Sequence, residues 1–361
     1  MRILTVIGAR PQFVKAAVVT RELAGLPGVE ERLLHTGQHY DDSMSARFFE
    51  ELSLPAPAWN LGVGSGPHGV QTARMLEGIE AAISAWRPDR VLVHGDTNST
   101  LAGALCAAKL HVPCAHVEAG LRSFNRRMPE EVNRVVADVL SDLLFCPTQA
   151  AVTNLAAEGR GHASGVRLVG DVMYDAVRVF GGGAARVPAS AAAAVSAGRF
   201  ALATCHRAGN TDDRAKLAGV LAGLGAVARR MPVVFPVHPR TLAAISRAGL
   251  AIPDGVAAIP PASYLETLSL LSRAALVLTD SGGLQKEAFF AGAPCVTLRD
   301  ETEWVELVEA GWNRLAGTDP DAILRAAGEA LGRAPPPRPD GLYGDGHAAA
   351  RIARALVGGD P

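Results

Sequence analysis

The residues best equipped to do chemistry are acidic, and they recur at element boundaries in the run RVLVHGDTNSTLAGALCAAKLHVPCAHVEAGLRSFNRRMPEEVNR. Val91 to Val93 is a short apolar run, the pattern of a strand buried on both faces of a parallel sheet, and it ends in His94-Gly95-Asp96. Thr97, Asn98 and Ser99 can cap the helix that follows and runs to Leu110. A second apolar run, Pro113 to Val117, ends in Glu118-Ala119-Gly120. After the polar loop Leu121 to Met128, Pro129 opens a helix with Glu130 and Glu131 in its first turn. Taken singly, an aspartate after a strand is an ordinary helix cap, and a Pro-Glu-Glu start is ordinary helix chemistry. Together, Asp96, Glu118 and the Glu130/Glu131 pair lie on the sheet edge where open α/β folds bind ligands. Three acidic positions there describe a site that moves protons.

The second half of the chain carries polar groups of another kind. His206-Arg207 follows the run Phe200 to Thr204, and His238 follows Val233 to Pro236. Asp280-Ser281-Gly282-Gly283 follows Leu276 to Thr279 and opens a helix containing Gln285, Lys286 and Glu287. A Ser-Gly-Gly turn at a helix start presents unpaired N–H groups and the positive end of the helix dipole, which suits a phosphate. The same residues also make a plain tight turn, and each histidine can be a satisfied near-surface residue. Glu287, one turn on, is placed to accept ribose hydroxyls. No His/Cys/Asp/Glu spacing reads as a metal site, and no nucleophile elbow is present.

The elements that must position these groups alternate. Arg2 to Ile7 is a strand, and Gly8-Ala9-Arg10-Pro11 turns into the helix Gln12 to Leu23. That is how nucleotide-binding α/β domains begin, although GARPQ lacks the GxGxxG spacing of a nicotinamide site. Arg10 and Lys15 lie near that helix start, where they could meet a diphosphate. Further strands are expected at Glu31 to His35, Val166 to Val169 and Pro294 to Leu298, with helices at Asp42 to Leu52, Gln71 to Trp86 and from Gln149 to about Glu158. The Gly/Ala-rich tract Gly181 to Gly198 offers no core strand. With 361 residues the chain is too long for one core, and the alternation in both halves predicts two doubly wound Rossmann-like domains facing across a cleft. The change of domain is expected near Gly170, giving 1–169 and 170–344.

A net charge of −1 gives no general reason to bind nucleic acid or an acidic membrane surface. No apolar run reaches 18 residues, and the amino terminus starts directly as a strand rather than a signal peptide. Cys106, Cys114, Cys146, Cys205 and Cys295 show no paired spacing, so buried reduced thiols in a cytoplasmic protein are expected.

GARPQFVKAA, HGDTNST, HVEAGLRS with the following PEEVNR, TCHRAGNTD, FPVHPR, DSGGLQKEA and YGDG resemble the motifs of the bacterial non-hydrolysing UDP-N-acetylglucosamine 2-epimerases. The resemblance runs through nearly the whole chain. It implies a glycosyltransferase-B-like fold, with UDP held mostly by the second domain, the sugar facing the first, and the terminal helix, 345–361, returning to the first domain. It also implies a homodimer with a UDP-sugar substrate and no cofactor or metal. By motif, Asp96, Glu118 and Glu130 match the groups that transfer protons at the sugar. His206 matches a histidine near the diphosphate that takes part in catalysis. Arg10, Ser281 and Gly282 match diphosphate contacts, Glu287 the ribose ligand, and Lys15, Arg207 and His238 further polar positions of the cleft; Gly283, next in the turn, is a further substrate-binding candidate.

The chemistry so implied interconverts UDP-GlcNAc and UDP-ManNAc by anti elimination of UDP to a glycal and its re-addition. Two departures from the family pattern stand out. Asp41 occupies the place of a glutamine in the family's activator pocket, and the GSGP region that of an arginine, although Gln38, Arg207 and His238 remain. These changes argue against activation by a second substrate molecule. The segment Arg299 to Val305 differs from the form RDTTERPE and is more similar to relatives acting on UDP-2,3-diacetamido-uronic acids. Arg126-Arg127, just ahead of Glu130, could pair with a uronate carboxylate or be a solvated basic pair. A uronate 2-epimerase, a hydrolysing epimerase and a glycosyltransferase are the alternative readings.

Overall fold

Short apolar runs separated by amphipathic helices leave one economical arrangement, in which each run is buried in a parallel sheet and each crossover helix covers a face. The computed structural model, which describes residues 1–38, 48–160, 165–181, 187–339 and 341–359, has two such sheets. In the first, β1 (Arg2–Ile7), β2 (Glu30–His35), β3 (Trp59–Asn60), β4 (Arg90–His94), β5 (Cys114–Val117), β6 (Leu143–Cys146) and β7 (Val166–Leu168) lie in the order β3-β2-β1-β4-β5-β6-β7. In the second, β8 (Ala201–Thr204), β9 (Val233–Pro236), β10 (Val256–Ile259), β11 (Leu276–Thr279), β12 (Cys295–Thr297) and β13 (Asn313–Leu315) lie in the order β10-β9-β8-β11-β12-β13. Every pairing is parallel.

The strand order reverses between β1 and β4 in one sheet and between β8 and β11 in the other. Crossovers leave such a pair for opposite faces, so the loops beyond their carboxyl ends diverge and open a crevice. The sheet cores supply the rigidity. Leu4, Val6, Val91 and Val93 pack with Met75, Ile79, Ala102 and Ala107 of the helices His68–Trp86 and Asn98–Lys109. Leu276, Leu278 and Ala203 pack with Leu217, Leu221 and Ile323. Each fully buried Val, Leu or Ile contributes about 1.5–3 kcal/mol relative to exposure.

The chain divides into two units, Met1–Val179 with Asp340–Pro361, and Phe180–Pro339. The change thus falls later than Gly170, because the helix Val172–Gly181 is tied into the first unit. Asp171 N–H donates to the Tyr343 carbonyl at 2.9 Å, and the Asp175 carboxylate accepts from Ala348 and Ala349 N–H at 3.1 and 2.8 Å. Asp175 thereby caps the terminal helix Ala348–Leu356, which packs on the helix Arg10–Ala24. For the same reason 340–344 belongs with the first unit rather than the second.

The helix expected over Asp42 to Leu52 is described only from Phe48, and Asp41 lies outside the described residues. All five cysteines are buried and unpaired. Among the described residues, no helix is long and apolar enough to cross a membrane.

Candidate active site

In the first unit the site begins at the turn after β1. Gln12, in the first turn of its helix, accepts from the N–H groups of Gly8 and Ala9 at 2.8 and 3.0 Å. Its amide donates to the His94 carbonyl at 2.8 Å and to Thr100 Oγ1 at 3.1 Å. One buried side chain therefore ties the end of β1 to the end of β4. Arg10, the first residue of this helix, lies with its guanidinium 5.3 Å from the centre of the Phe48 ring. Lys15, one turn along, is ion-paired with Glu118 and both side chains are nearly buried. Read from sequence as a diphosphate contact, Lys15 is engaged with a carboxylate.

Gly95 lies against this pair. Its φ is +64°, and a Cβ there would approach Lys15 Nζ at 3.3 Å and Glu118 Oε2 at 3.4 Å. Glu118 itself has φ +72°, a left-handed conformation that costs a non-glycine residue roughly 1–2 kcal/mol and clusters at functional sites. The strain is held by the Phe145 carbonyl, which accepts from the N–H groups of both Glu118 and Ala119, at 3.1 and 3.0 Å.

Asp96, beyond β4, is ion-paired with Arg134, whose other terminal nitrogen lies 3.3 Å from Glu131 Oε2. Asn133 Nδ2 donates to the Asp96 carbonyl at 3.0 Å. The two glutamates of the helix Pro129–Leu140 part company. Glu130 is exposed, whereas Glu131 is buried and accepts from Ser123 N–H, Ser123 Oγ and Phe124 N–H at 2.8, 2.9 and 3.0 Å. Burial works against the Glu131 anion, but these donors and Arg134 outweigh it and hold the carboxyl below its usual range. Glu131 thus anchors the 121–128 loop and leaves Glu130 as the glutamate open to a ligand.

Beneath the carboxylates lies a buried polar layer that sequence reasoning missed. His116 Nδ1 is 2.7 Å from Asp138 Oδ1, and its Nε2 is 2.6 Å from the Gly95 carbonyl. Asp138 also accepts from Gly120 N–H at 3.1 Å and from Arg122 at 2.7 Å, while Arg122 forks onto Glu158 with two bonds of 2.7 Å. His94, fully buried at the end of β4, has no hydrogen-bond partner on either ring nitrogen among the described residues. Burial pushes its pKa down to about 3, so the ring is neutral.

In the second unit the loops after β8 and β11 meet around Asp280. This fully buried carboxylate accepts from His206 N–H at 3.0 Å, Arg207 N–H at 2.9 Å and Asn210 Nδ2 at 3.1 Å. The His206 ring stands 6.2 Å from that of His238, whose Nδ1 accepts from Arg240 N–H and caps the helix Pro239–Arg247. Ser281 caps the helix Gly282–Ala291, its Oγ accepting from Leu284 N–H at 3.4 Å. Gly282 and Gly283 form the first turn, where backbone N–H groups have no partner within the helix. A Cβ on Gly282 would overlap Glu303 Oε1, and Arg207 Nη2 would stand 3.4 Å from it. Burial opposes the Glu303 anion, but its own backbone N–H, Arg299 and Arg207 hold its carboxyl below the usual range. Trp304 Nε1 donates to the Gly282 carbonyl at 2.9 Å, and its ring stacks under the Lys286 ammonium at 4.2 Å. Glu287, on the same helix, is mostly buried.

The first unit brings together Lys15, Asp96 and Glu118, with Glu130 on the adjoining helix. The second brings together His206, Arg207, His238, Ser281, Gly282 and Gly283. Among the described residues no cluster of His, Cys, Asp or Glu could hold a metal ion. The partners Arg134 and Asp138 were missed because each lies far in sequence from the group it binds, and Asp280 was read only as part of the Asp-Ser-Gly-Gly turn. Glu130 and Arg134 stand four residues apart on one helix, yet Arg134 pairs with Asp96.

A family model described as UDP-N-acetylglucosamine 2-epimerase matches residues 21–357. The UDP-2,3-diacetamido-2,3-dideoxy-D-glucuronate 2-epimerase of Pseudomonas aeruginosa is 52% identical over 360 residues, covering 99% of both chains. The UDP-N-acetylglucosamine 2-epimerase of Methanocaldococcus jannaschii is 39% identical over 368 residues, 99% of this chain and 100% of that one. Its crystal structure in complex with UDP-GlcNAc and UDP superposes with a TM-score of 0.86, at 38% identity, covering 99% of this chain and 100% of that one. The Neisseria meningitidis UDP-GlcNAc 2-epimerase bound to UDP-GlcNAc gives a TM-score of 0.87 at 28% identity, with coverage of 99% and 100%.

Proposed function

The chain belongs to the UDP-N-acetylglucosamine 2-epimerase family, and from that premise we propose that it inverts C2 of a UDP-linked 2-acetamido sugar. It is a UDP-sugar isomerase with the family's glycosyltransferase-B-like pair of Rossmann-like units. The hydrogen on C2 is not appreciably acidic, so direct removal and replacement is slow. Anti elimination avoids this. A carboxylate takes the C2 hydrogen, the C1–O bond breaks, and UDP leaves with the bonding electrons to give a 1,2-unsaturated sugar. UDP then adds back to C1 while a proton is delivered to the opposite face of C2.

One observation carries the reading. Two carboxylates, Asp96 and Glu118, stand at the ends of the adjacent strands β4 and β5, each paired with its own cation. Asp96, Glu118 and Glu130 transfer the protons. Ser281, Gly282 and Gly283 receive the diphosphate at the helix start with Arg10, His206, Arg207 and His238, and Glu287 takes the ribose hydroxyls. Preorganised donors facing the charge on a leaving group contribute about 3–4 kcal/mol each, and positioned acid–base groups about 10²–10⁴-fold.

Within this class UDP-GlcNAc is the simplest substrate, but the 52% identity to a diacetamido-glucuronate epimerase favours the uronate. The exposed pair Arg126-Arg127, just ahead of Glu130, is a cation source for its carboxylate. Incubation of each UDP-sugar in D₂O, followed by NMR, tests both points. Epimerised product carrying deuterium at C2 is expected, with faster turnover of the uronate. Product without deuterium would exclude elimination, and turnover of UDP-GlcNAc alone would exclude the uronate. The working form is taken to be a cytoplasmic homodimer, as in the family; sedimentation at a single-chain mass would contradict the dimer.

A further inference from the structure

We propose that His116 is a positioning residue that fixes the spacing between the Asp96 and Glu118 carboxylates. This rests on the epimerase reading above.

The β4–β5 ladder ends at the pair His94 and Val117, so both acids lie just beyond it. One further backbone bond, from Gly95 N–H to the Val117 carbonyl at 3.0 Å, follows the ladder, and then the two loops part. His116 bridges that gap. Its Nε2 binds the carbonyl of Gly95, the residue before Asp96, at 2.6 Å. Through Nδ1 it binds Asp138, which returns to Gly120 N–H, two residues after Glu118. Asp138 lies on the same helix as Glu130 and Arg134, so the ring also ties that helix to the two strand ends.

Both ring nitrogens face acceptors. The Gly95 carbonyl only accepts, and Asp138 also accepts from Gly120 N–H and Arg122, so the ring is held at both of its nitrogens. Burial opposes the Asp138 anion, but His116 and Arg122 outweigh it and hold the carboxyl below its usual range. Arg122 pairs with both Asp138 and Glu158, and His116 and Asp138 are fully buried. Buried ion pairs of this kind are seldom better for stability than well-packed apolar side chains. What they supply is direction, since each bond aims at one carbonyl or one N–H. The consequence is chemical: a proton must leave one face of C2 and arrive on the other, so a small change in carboxylate spacing spoils one of the two half-reactions.

The experiment compares full-length wild type with His116→Gln, Asp138→Asn and Arg122→Lys, and with Ile83→Ala as a core substitution of the same unit that makes none of these bonds. Steady-state kinetics, UDP affinity by calorimetry, thermal midpoints and release of free UDP with the unsaturated sugar are measured on each. His116→Gln and Asp138→Asn are expected to lower kcat ten- to a hundredfold, with KM and UDP affinity within twofold of wild type. The share of turnovers ending in free UDP is expected to rise. Arg122→Lys, which keeps the charge but loses the fork, is expected to move in the same direction and serves where His116→Gln does not fold. An unchanged kcat, or a loss no larger than that of Ile83→Ala at equal thermal destabilisation, overturns the proposal. A parallel loss of UDP affinity does so too. Absence of C2 exchange in the wild type would instead remove the epimerase reading itself.

Discussion

Arg134 holds Asp96 with one terminal nitrogen and stands 3.3 Å from Glu131 with the other, joining the end of β4 to the helix that carries Glu130. Asp96 is about one-third exposed, so its carboxylate meets both the guanidinium and any ligand in front of it. Asp96→Asn is expected to abolish C2 deuterium exchange while leaving UDP affinity within about twofold. Arg134→Gln is expected to lower kcat by about 10²-fold, the scale of one acid–base contribution. Exchange measured by NMR beside UDP calorimetry checks both, and loss of UDP binding by either variant would contradict the assignment.

Gly95 stands directly against the Lys15–Glu118 pair. Gly95→Ala would place a methyl group against the Lys15–Glu118 pair at a φ of +64°. A cost of about 1–2 kcal/mol in stability is expected from the left-handed conformation alone. The loss in kcat is expected to exceed what that destabilisation accounts for, because the displaced pair includes Glu118, one of the proposed proton-transfer groups. Thermal melts read with kinetics separate the two effects.

Asp280 organises the other unit. Its carboxylate takes three N–H donors from the 206–210 segment, and Asp280→Ala would remove that acceptor, at up to about 1–3 kcal/mol for each donor left without a partner. The expected result is a rise in KM of at least about tenfold with weaker UDP binding, and C2 exchange persisting at saturating substrate. Exchange lost at saturation would move Asp280 into the proton-transfer machinery.

Glu31 gives a pH dependence unrelated to catalysis. Burial pushes its carboxyl up to about 7, only partly offset by hydrogen bonds from Thr5 and Thr20. The ordinary value is 4.5, so between pH 4.5 and about 7 the folded protein holds a proton that the unfolded chain has released. Stability attributable to Glu31 therefore falls as pH rises through that window and levels off above it. Glu31→Gln is expected to stabilise at pH 8 by on the order of 2–3 kcal/mol and to change little at pH 4. Equal effects at both pH values would show that burial does not govern this group.

Sequence and structure divide the site unevenly. The apolar runs behind Asp96, Glu118, His206 and Asp280 are legible because a strand buried on both faces needs unbroken apolar residues. The edge strands β3, β10 and β13 were not read, since they are two to four residues long and partly exposed, and so lack that pattern. Glu130 and Glu131 are indistinguishable as letters, and only the 121–128 loop folding back onto Glu131 separates them.

By itself the sequence determined which residue types stand at strand ends, because local periodicity sets where strands stop and helices start. Tertiary structure alone decided their partners. Arg134 with Asp96, Lys15 with Glu118 and His116 with Gly95 join positions 38, 103 and 21 residues apart. Parallel sheets bring such positions together through crossovers of a dozen or more residues, so the pairing is written in strand order and not in any local pattern.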